Sequence, residues 1–158
     1  MRKSFIVILL SSMALSVQAQ RFEDYFEDRT LRLDYTFCGD ASHQQIYVDE
    51  LVSIPRWYSR RHRLAELPLK GNGDITVRSK ADGMVIYRHS FSSLFQEWLS
   101  TAESKRVQKS FENVFLVPYP KQPVEITVGL RDYHDSVYAS MTHTVDPSDI
   151  IEDRKSVV

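Results

Sequence analysis

Five histidines, one cysteine and 21 acidic residues are the first groups in this 158-residue chain to weigh for acid–base, nucleophilic or metal chemistry. The histidines are His43, His62, His89, His134 and His143. A zinc-holding helix of the H-E-x-x-H type needs two histidines four residues apart, with a Glu as general base. No pair has that spacing, and no histidine is followed by Glu. His134 precedes Asp135 and His143 stands three residues before Asp146. Both pairs fall at a turn or strand end and read as solvated polar residues. Cys38 has no second cysteine to bond with, so stability must come from the core alone. It ends an alternating run and has no His or Lys beside it, which reads as a buried, inert thiol.

Other chemistry is equally unadvertised. There is no G-x-S-x-G elbow for a serine nucleophile. Gly71-Asn72-Gly73 lacks the strand-to-helix setting of a phosphate cradle. Asp49-Glu50 and Glu152-Asp153 are sequence neighbours, and neighbours in a strand face opposite ways. The sequence therefore predicts no catalytic residue, no metal ligand and no cofactor. Its one strongly basic segment is Arg56-Trp57-Tyr58-Ser59-Arg60-Arg61-His62-Arg63. Basic residues interleaved with aromatic ones can bind polyanions. Here the segment is short and is balanced by Asp49, Glu50 and Glu66, so it reads first as an exposed loop anchored by Trp57 and Tyr58. The candidate interaction surface is Trp57, Tyr58, Arg60, Arg61 and Arg63.

The elements that must position these groups are strands. Leu31, Leu33, Tyr35 and Phe37 alternate with Arg32, Asp34 and Thr36, giving one apolar and one polar face. Ile46, Tyr47 and Val48 begin a second strand, and Pro55 ends it. Asn72-Gly73-Asp74 is a turn signal, followed by alternating Ile75-Thr76-Val77-Arg78. Ala81-Asp82-Gly83 and the run Met84–Tyr87 complete a hairpin. The period then changes: Phe91, Leu94, Phe95, Trp98 and Leu99 form one stripe of a helix, with Ser93 and Gln96 as its capping box. Phe111 and Val114–Val117 make a further strand, which Pro118 and Pro120 mark as an end or an edge. Val124–Leu130 and Val137–Met141 alternate around a polar turn, Arg131–Ser136. These short strands predict an antiparallel β-sandwich, Ig-like or similar, with one amphipathic helix over an end or edge.

The length suits one domain, expected over residues 20–148 with a loose tail at 149–158. Net charge is −1, unlike the basic balance of a dedicated nucleic-acid binder. Arg2 and Lys3, the apolar run Phe5–Leu15 and the small residues before Gln20 read as a signal peptide over residues 1–19. The apolar run is short for a membrane span, so the mature chain is expected in a secreted, periplasmic or cell-surface location with no span left.

The stretch GNGDITVRSKADGMVIYRHSFSSLFQEWL, from Gly71 to Leu99, resembles the N-terminal domain of the IgA-peptidase family of secreted bacterial zinc metallopeptidases. Phe22–Phe26, Thr30–Tyr35, Arg61–Leu69, Ser110–Asn113, Pro118–Pro120 and His143–Pro147 extend the likeness over roughly Phe22 to Ile151. In that family the domain precedes a separate catalytic domain with a zinc-binding helix, and this sequence contains no such helix. The resemblance implies a secreted, non-catalytic accessory domain, a truncated form of the longer peptidase. It would position protein substrate or pack on a catalytic domain. The alternative is a stand-alone β-sandwich module for a glycan or surface protein, using the Trp57–Arg63 patch.

Overall fold

The structure is a computed structural model that describes residues 21–67 and 69–152. The expected signal segment, 1–19, and residues 153–158 of the expected tail lie outside the described residues. A one-turn helix α1 (Phe22–Tyr25) leads into β1 (Phe26–Gly39) and β2 (Gln44–Pro55). The hairpin β3 (Gly73–Ser79) and β4 (Val85–Phe91), helix α2 (Leu94–Leu99) and β5 (Lys109–Pro120) follow. A second hairpin, β6 (Val124–Arg131) and β7 (Val137–Val145), and a two-residue β8 (Ile151–Glu152) complete it.

The strands form two four-stranded sheets, β5-β1-β2-β8 and β4-β3-β6-β7, packed as the expected β-sandwich. All pairings are antiparallel except β2 with β8, where Val52 and Ser53 run parallel to Ile151 and Glu152. A 3-10 turn at Pro147–Asp149 precedes that pairing, and Ile151 and Glu152 of the segment expected as a tail, 149–158, form β8.

The alternation read in β1 is real. Leu31, Leu33, Tyr35 and Phe37 are fully buried between the sheets, where they meet Ile75, Val77, Ile126 and Val128. Each such side chain contributes about 1.5–3 kcal/mol by leaving water. The same alternation turns Cys38 the other way. It is only half buried, on the outer face opposite Gln45 and Ser110, so the expectation of a buried thiol is corrected.

Two aromatic nests close the ends of the core. At one end Phe95 lies 6.3 Å from Phe37, 5.7 Å from Phe111 and 6.0 Å from Trp98. At the other, Tyr87 meets Trp57 edge-on at 6.0 Å and Phe26 at 6.4 Å. Offset and edge-to-face ring pairs of this kind add about 0.5–1.5 kcal/mol beyond burial.

Two local expectations change, and a third holds. The stripe from Phe91 to Leu99 is split, because Phe91 belongs to β4 and the helix is six residues long. Phe95 and Trp98 face the core, whereas Leu94 is 69% exposed. Gly73 and Asp74 start β3 and do not form a turn. Gly73 is required for close approach: a Cβ there would stand 2.4 Å from the Phe91 ring. Pro118 and Pro120 lie within β5, an edge strand, where a missing N–H is tolerated. Among the described residues no helix is long and apolar enough to cross a membrane.

Candidate interaction surfaces

The basic segment Arg56–Arg63 leaves β2 through Arg56, held at φ 63°, and turns again at Arg63, φ 53°. Trp57 is 6% exposed. Its backbone N–H donates to Asp28 Oδ1 at 3.1 Å and its indole N–H donates to the Arg60 carbonyl at 2.9 Å. Arg60 turns inward, donating to the carbonyls of Arg63 at 3.0 Å, Leu64 at 3.1 Å and Arg88, and lying 5.3 Å from the Tyr87 ring centre. Arg61 pairs with Asp28 and covers the Phe22 ring at 4.6 Å. Arg63 donates to Glu66 at 2.8 Å. The Trp57 amide and the Arg61 guanidinium together hold the Asp28 carboxyl below the usual range.

Of the five residues expected to make the patch, Tyr58 alone projects freely, at 83% exposure; it is not an anchor. Arg60 and the Leu64 carbonyl, which accepts from the Arg88 N–H at 2.9 Å, instead cover the outer flank of β4. That arrangement protects an edge strand whose unpaired amides would otherwise invite another chain. Beside Tyr58 lies a groove of about 390 Å³ between the flanks of β4 and β5. Tyr87, His89, Val114, Phe115 and Leu116 line it, and Val114 and Leu116 are exposed.

The histidines do not converge. His43 and His62 are on exposed loops, and His134 is exposed beside Tyr133, ring centres 3.8 Å apart. His89 sits on β4, where burial and then the Arg60 charge lower its pKa. His143 lies on β7, not at a solvated turn, and its Nε2 is 2.7 Å from the Tyr35 hydroxyl of the opposite sheet. Burial lowers the His143 pKa and raises that of Tyr35, so both stay neutral and share one hydrogen bond. Among the described residues no group of three or more His, Cys, Asp or Glu is placed to hold a metal.

The outer faces of the two sheets differ in sign. On the first, Asp34, Asp49, Glu50 and Glu112 border a shallow hollow, with Arg32 bonded to Asp34 at 2.9 Å and Glu50 at 3.2 Å. On the second, Asp74 is nearly buried and accepts from Arg131 Nε at 2.7 Å, with Arg88 at 3.7 Å. The Asp74 carboxylate raises the Arg131 pKa further. Sequence reading missed this cluster because Asp74 and Arg131 are far apart in the chain. The alternation Asp74, Thr76, Arg78 was the available signal, since it puts all three on one face.

The family described as the peptidase M64 N-terminus matches this chain over residues 21–142. The chain belongs to the M64 peptidase N-terminal family. The match takes in every strand of both sheets except β8 and the last residues of β7. The His143–Pro147 stretch quoted for the resemblance lies beyond it. No curated protein matches the chain. As an M64 N-terminal module, the sandwich presents an apolar groove, an acidic face and a basic face, with its polar side chains spread over outer surfaces.

Proposed function

We propose that this chain is an exported, non-catalytic accessory module of the M64 type, which positions protein substrate or packs on a catalytic domain. The observation that carries this reading is the M64 N-terminal match over residues 21–142. The arrangement of side chains agrees with it, since the interior is filled by apolar and aromatic residues and the histidines are dispersed. Export rests on the pattern of residues 1–19.

The test pairs two measurements on the purified chain. Zinc content after dialysis and hydrolysis of immunoglobulin are both expected to be nil. Mixed with an M64 catalytic domain, the chain is expected to co-elute with it or to raise its rate on a protein substrate. Stoichiometric zinc, or cleavage by the chain alone, would reject the reading. A second reading, capture of a glycan or surface protein, is favoured by Tyr58 standing free over the groove of about 390 Å³. It requires that Tyr58→Ala abolish binding in a glycan-array or pull-down screen.

A further inference from the structure

Strand alternation and register gather the basic side chains of the second sheet on its outer face. Asp74, Thr76 and Arg78 point outward from β3, Arg88 is opposite Thr76 on β4, and Arg78 is opposite Glu125 on β6. Lys80 reaches the same face, with its Nζ 3.4 Å from Thr144 Oγ1. Arg78, Arg88, Arg131 and Lys80 thus meet three carboxylates: Asp74, Glu125 and, 3.7 Å from Arg131 Nη1, Asp135.

Asp74 fixes two of these cations without using up their donors. It takes Arg131 Nε and lies against one terminal nitrogen of Arg88. Arg88 Nε is buried and has no partner among the described residues. A buried donor left unpaired is costly, and an incoming acceptor would relieve that cost. A hollow of about 310 Å³ lies on this face, bordered by Asp74, Thr76, Arg78, Arg88, Thr127 and Arg131. Planar guanidinium forks match carboxylates two bonds at a time. The hollow has no aromatic ring on which a sugar could stack, which favours a polypeptide ligand over a glycan.

We propose that the outer face of the second sheet binds an acidic polypeptide segment, whose Asp or Glu carboxylates are taken by Arg78, Arg88 and Arg131. The proposal deepens the accessory-module reading and rests on it: this would be the surface by which the module holds a protein partner. Fluorescence polarisation with a labelled glutamate-rich peptide tests it on the chain alone. Saturable binding that weakens with added salt is expected. Arg78→Glu, an exposed position whose nearest bond is a 3.4 Å contact to the Gly83 carbonyl, is expected to weaken binding at least about tenfold. Arg88→Gln should do the same, and Lys105→Gln, outside this face, should change nothing.

Four results would overturn the proposal. These are no peptide binding, binding indifferent to both arginine variants, preference for a sulfated glycan, or self-association through the acidic face in place of peptide capture. None of them touches the accessory reading, which fails on zinc or hydrolysis instead.

Discussion

At the residue scale, two polar contacts carry distinct consequences. Asp74 lies between Arg131 and Arg88, and its side chain is nearly out of water. Asp74→Ala leaves two guanidinium groups facing each other without their anion. It is expected to lower stability by about 2 kcal/mol, read as a shift in the urea midpoint. The Tyr35–His143 bond ties the sheets together across the core. Tyr35→Phe removes it and should cost about 1 kcal/mol. His143 also sets a pH dependence. Its folded pKa is below the ordinary value of 6.5, as is that of His89, so the unfolded chain binds more protons near that pH. The resulting stability is complete above about pH 6.5 and is lost as the pH falls toward the folded values. The urea midpoint should therefore drop between about pH 7.5 and about pH 5.5, and His143→Gln should flatten that drop. The residue-scale site was the least legible in sequence. Tyr35 and His143 are brought together by the stacking of two sheets, and nothing local to either announces the other.

At the scale of elements, local signals did better. Ser93 caps α2 as its spacing with Gln96 indicated, accepting from the Gln96 N–H at 3.3 Å. The helix has six residues, so its first turn is half its length. Ser93→Ala is expected to cost about 1 kcal/mol, visible as a lower melting temperature. The same periodicity misassigned Phe91, because an apolar residue at a strand end continues a helical stripe without belonging to it. Trp57 and Tyr58 are a sharper case. They are adjacent, and no periodicity tells which one is inside. The structure decides by giving the indole N–H the Arg60 carbonyl and its ring the edge of Tyr87. Trp57→Ala should destabilise by about 3–5 kcal/mol, while Tyr58→Ala should stay within about 0.5 kcal/mol in the same denaturation experiment.

At the scale of the whole molecule, the β-sandwich was legible because alternation and turn residues mark strands wherever they fall. Strand order was not, because pairing partners are distant: Phe26 lies opposite Pro120, and the first strand becomes the centre of its sheet only when the fifth arrives. Loops that long must close before their contacts form, so refolding followed by Trp57 and Trp98 fluorescence is expected in milliseconds to seconds, not microseconds. The acidic hollow on one sheet and the arginine-lined hollow on the other lie on opposite sides of a chain whose formal charge is only −1. Such a particle carries a dipole out of proportion to its net charge. It should present whichever broad side suits the ground it lands on, and so adhere to both anion- and cation-exchange resins at a pH where its overall charge alone would let it pass through either.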